Sequence, residues 1–297
     1  MKPNLLALCL FTSIVLLCGG QSSDVMATEP VFWQAHRGGG ANDAPDNTMR
    51  AFTTTWELGG IPEADLRTTT DGVILCLHDA TLARTTTAPK SIADRNVKQL
   101  TFAEVRNWDA GIKFSPDYSG ETVPSLEEVF QKMQGQPDRQ VYLDIKDVQL
   151  KQLGALIDRY AVNKQVLICS PRQSDCTTLK QISKDIRSMI WIGGSPEDIK
   201  TKFQRVVDSK FTGVDQVQLH LHDSDDRQSG RYQISPEFLK QALKVTNDAG
   251  IDFQVFPFHF DASDVHQLLD LGIRWYVTDE PKRFQQSVVN WQQKNRG

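Results

Sequence analysis

The chain has few cysteines, and their spacing excludes two kinds of stabilised domain. Two of the five, Cys9 and Cys18, fall in the N-terminal apolar stretch, and the other three, Cys76, Cys169 and Cys176, form no CxxC pair. Structural zinc sites need closely spaced cysteines, and disulfide scaffolds need several pairs of them. The sequence excludes both, and it leaves open only whether Cys169 and Cys176 pair with each other.

The chain also lacks a surplus of positive charge. Its 33 Lys and Arg residues are outnumbered by 37 Asp and Glu residues, which gives a formal net charge of −4, and the two signs are interspersed. Proteins that bind nucleic acid concentrate positive charge in a patch or stripe. We therefore expect a small-molecule partner and no nucleic acid, and the sequence leaves the oligomeric state open.

Only the N-terminus carries a long apolar run. Lys2 precedes an apolar segment from Leu5 to Cys18, which is too short to span a bilayer and is followed by small residues. This pattern predicts a cleaved signal peptide over residues 1–27, a folded domain over residues 28–297, and export to the periplasm or the medium. Cleavage after Gly20 is the alternative to cleavage after Ala27. The run that ends in Cys18 loosely resembles a bacterial lipobox, so a lipid anchor on Cys18 is the less favoured alternative. No later segment is apolar enough to predict a membrane span.

Beyond this run, short β-branched or apolar segments alternate with amphipathic ones. Residues 31–35 and 61–66 are the first two predicted strands, residues 47–58 are the first predicted helix, and Ser125 with Glu128 forms a capping-box pattern at a later helix start. The whole domain gives eight strand–helix units. This number predicts an α/β fold, a closed (β/α)8 TIM barrel. An open doubly wound sheet is the competing fold, but no GxGxxG motif follows the first strand.

The second predicted strand is followed by an insertion. An Asp71-Gly72 turn signal precedes an extended segment, residues 73–77, and a strand-poor stretch then continues to Val123. This stretch is long for a barrel connection. We therefore predict a small insertion over about residues 79–123 within a single domain.

Polar residues follow the C-terminal ends of the first three predicted strands, where such barrels place their active sites. Glu63, Asp65 and Asp144 can supply oxygen ligands for one divalent cation, Ca²⁺ or Mg²⁺. His36 and His78 can exchange protons near neutral pH, and an arginine and a lysine can neutralise a phosphoryl group. The pattern predicts metal-assisted phosphodiester cleavage. The candidate site therefore comprises His36, Arg37, Glu63, Asp65, His78, Asp144 and Lys146.

The same residues belong to a series of short motifs that extends along most of the domain. In chain order these are His36-Arg37-Gly38, Pro45-Asp46-Asn47-Thr48, Glu63-Ala64-Asp65, His78-Asp79, Arg84-Thr85-Thr86, Val123-Pro124-Ser125-Leu126-Glu127-Glu128, Asp144-Ile145-Lys146 and Thr278-Asp279-Glu280-Pro281. With these motifs in this order, the chain resembles the glycerophosphodiester phosphodiesterase family of phospholipase C-like barrels.

The resemblance implies a TIM barrel with a small insertion and a metal-dependent hydrolysis of glycerophosphodiesters to glycerol 3-phosphate and an alcohol. It implies His36 and His78 as the acid–base pair and Arg37 and Lys146 as phosphate contacts. It also implies that a neighbouring hydroxyl of the substrate attacks first, and that water then opens the cyclic phosphate. The metal ligands implied are Glu63, Asp65 and Asp144.

Three positions depart from the family pattern. Asp144 stands where the family has Glu, which shortens the side chain by one methylene and is expected to affect the metal. Asp46 replaces another Glu, and there we expect a weakened contact beside the site. Residues 255–259, Val-Phe-Pro-Phe-His, replace the family's Trp-Thr-Val-Asn. We therefore expect a rebuilt pocket wall on the side of the alcohol.

Two other functions stay open at this point. One is a lysophospholipase D-like or sphingomyelinase D-like phosphodiesterase acting on lysolipids, which needs an apolar groove around Trp191, Phe256 and Phe258. The other is a non-catalytic barrel that binds phosphoesters, which the presence of both histidines disfavours.

A second polar segment follows the sixth predicted strand. His220 and His222 share a face and precede the acidic run Asp223-Ser224-Asp225-Asp226. This segment fits a substrate-recognition loop, a second metal site or, as we favour, a solvated polar rim. Beyond it, Phe258 or His259 is a candidate for stacking on a choline-like head group.

Overall fold

The computed structural model describes residues 29–226 and 230–295. The predicted signal peptide lies outside these residues. Within the described ranges, no helix combines the length and the hydropathy of a transmembrane span.

Eight parallel strands close into a barrel, as predicted. The ring closes because the first strand pairs with both the second and the last, and the third strand is an antiparallel partner of the second. The closed ring therefore excludes the open doubly wound sheet, which was the competing prediction. The strands are β1 (Phe32–Ala35), β2 (Ile61–Thr68), β3 (Ile74–Cys76), β4 (Val141–Asp147), β5 (Val166–Ser170), β6 (Arg187–Ile192), β7 (Gln216–Leu221), β8 (Asp252–Pro257) and β9 (Trp275–Thr278).

Helices follow the barrel strands and cover their outer surface. They are α1 (Met49–Glu57), α2 (Lys90–Ala93), α3 (Phe102–Arg106), α4 (Leu126–Met133), α5 (Leu150–Tyr160), α6 (Gln173–Ile182), α7 (Pro196–Asp208), α8 (Pro236–Asp248), α9 (Ala262–Asp270) and α10 (Pro281–Lys294). The predicted capping box is confirmed at α4, where Ser125 and Glu128 satisfy each other's backbone N–H groups.

The first helix begins later than predicted. The prediction starts at Asn47, but α1 starts at Met49, because the Thr48 hydroxyl accepts a hydrogen bond from Ala51 N and caps it. Asn47 has a φ of 53° and lies outside the helix. Its side chain bonds to Asp65, and this contact brings the loop onto the end of β2.

Apolar side chains fill the space between strands and helices. Two large clusters of buried residues divide it, one centred on β2, β4 and β5 and the other on β7, β8 and β9. Buried side chains also fill the barrel itself, where the Tyr142 hydroxyl bonds to Gln216 at 2.9 Å. Packing from both sides holds the strand ends in fixed positions.

The insertion lies between β3 and α4 and contains α2 and α3. It has an apolar cluster of its own, which includes Leu77, Leu82, Leu100 and Val105. Leu77 comes directly before His78, so the insertion packs beside the polar end of the hairpin. The predicted insertion over about residues 79–123 corresponds to this segment.

Candidate active site

The first strand ends in a histidine held by the last strand. His36 follows β1 directly, and its Nδ1 lies 2.7 Å from Asp279 Oδ1. Asp279 follows β9, and β9 is the neighbour of β1 in the closed ring. This contact leaves Nε2 of His36 as the nitrogen available to a ligand.

Buried carboxylates control the charge of this histidine. Burial alone disfavours the charged imidazolium, but Glu63 and Asp279 outweigh it and raise the pKa of His36 to about 8. The ring therefore holds a proton at neutral pH.

Three carboxylates meet where β2 and β4 pair with each other. Glu63 and Asp65 point to the same side of β2 since they lie two residues apart, and Asp144 on β4 is the register partner of Asp65. Oxygens of all three lie within 4.8 Å of one another, and all three residues are buried. A cation with ligand distances of about 2.3–2.6 Å spans oxygens at this separation.

One ammonium group neutralises part of this charge. Lys146 Nζ lies 2.5 Å from Asp144 Oδ2 and 3.2 Å from Asp65 Oδ1. Burial, with the charges of Asp65 and Asp144, raises the pKa of Glu63, and the positive charge of His36 opposes this rise. Burial raises the pKa of Asp144 too, whereas Lys146 and nearby groups overcome burial and lower the pKa of Asp65.

The donor set fits a divalent cation. It consists of hard oxygens alone, and Asp65 Oδ1 accepts no hydrogen bond although it is buried. The carboxylates outnumber the single ammonium beside them, so a second positive charge is electrostatically favoured there.

Neutral side chains to which the sequence analysis gave no such role hold these carboxylates in place. Gln34 on β1 donates to Glu63 at 2.6 Å, Asn47 donates to Asp65 at 2.7 Å, and the Trp191 indole donates to Asp144 at 3.3 Å. Gln34 lies two residues before His36 in a strand, so its inward orientation follows from strand alternation. Asn47 and Asp279 stand in motifs already noted, but only the closed barrel shows what they contact.

The second histidine lies across the pocket. His78 Nδ1 is 2.9 Å from Asp79 Oδ1, and Arg84 binds Asp79 through two nitrogens at 2.7 and 3.1 Å. Burial outweighs the attraction of Asp65 and Asp79 and lowers the pKa of His78. The ring is therefore neutral at neutral pH, in contrast to that of His36.

Arg37 reaches the pocket from the turn after β1. Its φ of 54° places it in the left-handed region, a strained conformation for a residue with a side chain. Arg37 Nη1 lies 3.1 Å from Asp46 Oδ2, and Arg84 Nη1 lies 2.7 Å from the same oxygen. Asp46, where a weakened contact was expected, therefore pairs with two arginines.

An aromatic wall forms the other side of the pocket. It consists of Trp191, His220, His222, Phe256 and Phe258, whose rings contact one another in stacked and edge-on pairs. His220 stacks on Trp191, and burial followed by the charge of His222 lowers its pKa to about 4. The favoured interpretation of this segment as a solvated rim is therefore wrong for His220. Among the described residues, the only clustered metal-ligand candidates are the three carboxylates, so a second metal site receives no support.

The pocket brings the predicted residues together. It encloses about 240 Å³ and is lined by His36, Arg37, Glu63, His78, Asp144 and Lys146, with Asp65 directly behind Lys146. His259 points away, with 73% of its side chain exposed. Cys169 lines the pocket and Cys176 lies elsewhere; both are free, so they do not pair.

A closed α/β barrel with a histidine pair and a carboxylate cluster at its C-terminal face defines the class of barrel phosphodiesterases. The model of the glycerophosphoryl diester phosphodiesterase family matches residues 36–283. The chain belongs to this family and is a phosphoric diester hydrolase.

Relatives and solved structures agree with this assignment. A glycerophosphodiester phosphodiesterase of Caldanaerobacter subterraneus subsp. tengcongensis is 35% identical over 84% of this chain and 93% of its own length. The fold is similar to that of an Agrobacterium tumefaciens glycerophosphodiester phosphodiesterase, with a TM-score of 0.65 at 22% identity over 86% of this chain and 98% of that one. It is also similar to that of an Oleispira antarctica phosphodiesterase in complex with the product sn-glycerol-3-phosphate, with a TM-score of 0.66 at 19% identity over 87% of this chain and 96% of that one.

Proposed function

We propose that this protein hydrolyses small glycerophosphodiesters to glycerol 3-phosphate and an alcohol, using one divalent cation and the pair His36 and His78. The observation that carries the proposal is a buried three-carboxylate cluster in the same pocket as His36 and His78. General acid–base cleavage needs such a pair on either side of the reacting phosphorus.

The protonation states suggest a role for each histidine. Neutral His78 accepts the proton of the attacking hydroxyl as its oxygen bonds to phosphorus. Protonated His36 donates its proton to the oxygen of the leaving alcohol as that P–O bond breaks. If a neighbouring hydroxyl of the substrate attacks first, water opens the cyclic phosphate with the two roles reversed.

Arg37 and Lys146 complete the phosphate subsite. Arg37 offers a planar fork of donors to two phosphoryl oxygens, and Lys146 offers a point charge beside Asp65 and Asp144. Glu63, Asp65 and Asp144 would hold the divalent cation, proposed to be Ca²⁺ or Mg²⁺. When bound, this cation withdraws charge from the phosphoryl oxygens and lowers the pKa of nearby hydroxyls.

The shape of the pocket favours a small substrate over a lysolipid. Its volume of about 240 Å³ lies below the range of about 300–1,000 Å³ that is typical of sites for larger ligands. The ring of Phe256 lies 4.9 Å from that of His36, so the aromatic wall stands on the side where the leaving alcohol takes up its proton. Among the described residues, the rings of that wall pack on one another, which leaves little room there for a long acyl chain.

Product analysis tests this proposal. The purified domain is incubated with Ca²⁺ or Mg²⁺ and glycerophosphocholine or lysophosphatidylcholine, and the products are identified by ³¹P NMR. We expect glycerol 3-phosphate from the first substrate, at least tenfold faster than any product from the second. His36→Asn and His78→Asn should abolish it, whereas His259→Asn, an exposed control, should not. Faster turnover of the lysolipid would replace the proposal by the lysolipid alternative.

We also propose that the protein is exported. The support is the sequence pattern of residues 1–27, a charged start, an apolar run and small residues. N-terminal sequencing of protein expressed from the full chain should give a start at Thr28. An intact N-terminus would contradict cleavage. A lipid-modified Cys18 at the N-terminus would show that the protein is anchored to a membrane by a lipid instead.

A further inference from the structure

The inserted segment contributes an arginine that contacts two acidic side chains beside the site. Arg84 Nε lies 2.7 Å from Asp79 Oδ2, and Arg84 Nη1 lies 2.7 Å from Asp46 Oδ2. Asp79 contacts His78, and Asp46 contacts Arg37. One guanidinium thus joins the two residues that hold His78 and Arg37.

Arg84 itself does not line the pocket. The lining residues include His78 and Arg37 but not Arg84, whose side chain is 45% exposed. Any effect on the reaction must therefore pass through its two partners. We propose that Arg84 is a positioning residue that sets His78 and Arg37 together; this inference rests on the proposed function.

The first partner acts on His78. Two hydrogen bonds from Arg84 hold the anionic carboxylate of Asp79 in place, and they lower its pKa to about 2. An anionic Asp79 accepts the proton on Nδ1 of His78, which fixes the ring orientation and leaves Nε2 as the free nitrogen. Without Arg84, Asp79 loses its two restraining bonds, and His78 loses a fixed support.

The second partner acts on Arg37. Asp46 would draw the guanidinium of Arg37 fully to itself if it had no other cation. Arg84 shares the same carboxylate oxygen, at a shorter distance than Arg37 does, so part of the positive charge of Arg37 stays available to a phosphate. Asp46 is one of the departures from the family pattern, and its carboxylate is the point where both arginines meet.

The two contacts of Arg84 predict separate effects on kcat and on KM. Arg84→Ala should lower kcat about tenfold, because His78 loses its orientation, and should raise KM about tenfold, because Asp46 withdraws Arg37. Arg84→Lys should restore at most one of the two values, since an ammonium group does not reproduce the fork that reaches both carboxylates. Arg95→Ala is the matched control, an arginine of the same insertion with a similarly exposed side chain and a partner, Glu104, away from the pocket.

Combined substitutions separate the two contacts. In an Asp79→Asn background, Arg84→Ala should no longer lower kcat; in an Asp46→Asn background, it should no longer raise KM. Steady-state kinetics with glycerophosphocholine measure both values, and thermal unfolding checks that each variant is folded. Folded Arg84→Ala with the kinetics of Arg95→Ala would overturn the inference, as would equal losses in every background.

A second measurement keeps this test apart from the proposed function. Binding of glycerol 3-phosphate, measured by calorimetry, should weaken about tenfold in Arg84→Ala and not in Arg95→Ala. A wild-type protein that binds this ligand but cleaves no glycerophosphodiester would contradict the proposed function alone. Equal binding by wild type and Arg84→Ala would contradict the inference alone.

Discussion

Asp279 contacts His36 from the opposite end of the chain. The 2.7 Å contact fixes one ring nitrogen, and the negative charges of Glu63 and Asp279 keep the ring protonated at neutral pH. In the proposed mechanism this protonated ring is the acid that releases the alcohol. Removing the charge of Asp279 should therefore affect the chemical step more than the binding of substrate.

Asp279→Asn is predicted to lower kcat about 100-fold with a smaller change in KM, because the neutral amide no longer favours the imidazolium form. Steady-state kinetics with glycerophosphocholine measure both kcat and KM of this variant. Glu280→Gln is the control, since Glu280 is the next carboxylate along the chain and pairs with Arg283. Equal kcat values for the two variants would remove Asp279 from the mechanism.

Asp144 is the proposed metal ligand that departs from the family pattern. It contacts Lys146 at 2.5 Å and the Trp191 indole at 3.3 Å, so its carboxylate is held in place although it is one methylene shorter than Glu. Asp144→Asn should weaken Ca²⁺ or Mg²⁺ binding at least tenfold, as measured by calorimetry. Asp147→Asn, an exposed residue at the end of the same strand, should leave the affinity unchanged. Unchanged affinity in Asp144→Asn would place the cation elsewhere.

At the scale of elements, the loop after β1 packs tightly against the start of α10. Gly40 has a φ of +76°, and a Cβ there would meet Pro281 Cδ at 2.3 Å and Asp279 O at 2.7 Å. The close approach keeps Asp279 beside His36. Gly59 has nearly the same φ, +78°, but nothing lies within 4 Å of a Cβ there.

These two glycines give a matched pair of variants. Gly59→Ala should be destabilised by about 1–2 kcal/mol, since it places alanine in the left-handed region, and Gly40→Ala by more, since its Cβ also has no room. Only Gly40→Ala should also lose most of its kcat, because its Cβ displaces Asp279. Chemical denaturation and steady-state kinetics measure the two effects. Equal kcat values for both variants would show that this contact does not position His36.

The strand–helix order of the barrel could be predicted because each element is local in sequence. The alternation of apolar runs gave the barrel, and the capping box of Ser125 and Glu128 gave the start of α4. The start of α1 was misplaced because Asn47 is held by a distant carboxylate, Asp65, which no local pattern contains.

The candidate site could likewise be predicted only in part. Residues at strand ends, such as His36 and Asp144, could be placed from strand alternation and motif order. Gln34 and Arg84 could not be given their contacts, since these depend on the distances between strands and on the path of the insertion. The aromatic packing around His220 could not be predicted either. The rings that contact His220 come from other strands, and the polar residues that follow His220 in sequence do not indicate them.

At the scale of the whole molecule, the buried imidazole of His220 links stability to pH. Burial and the charge of His222 lower its pKa from 6.5 to about 4 in the folded protein. Between these values the unfolded chain binds a proton that the folded chain does not. The contribution of neutral His220 to the free energy of unfolding is therefore complete above about pH 6.5 and is lost as the pH falls towards 4.

As the pH falls through this window, we expect protonation of His220 in the unfolded chain to lower the free energy of unfolding by up to about 1.4 kcal/mol per pH unit. His220→Phe retains an aromatic ring against Trp191 and cannot titrate. Relative to its own stability at neutral pH, this variant should lose less between pH 6.5 and 5 than the wild type does, as measured by urea denaturation. Parallel pH profiles for the two proteins would show that His220 is not buried in the neutral form.

The central claim is that this barrel cleaves phosphodiesters with a cation held by Glu63, Asp65 and Asp144. The most direct test strips the purified protein with a chelator, then assays glycerophosphocholine hydrolysis before and after Ca²⁺ or Mg²⁺ is restored, beside a Glu63→Gln variant. We expect that stripping abolishes hydrolysis, that one of the two cations restores it in the wild type, and that neither restores it in the variant. Hydrolysis that continues in excess chelator, or a folded and cation-bound wild type that cleaves no glycerophosphodiester, would contradict it.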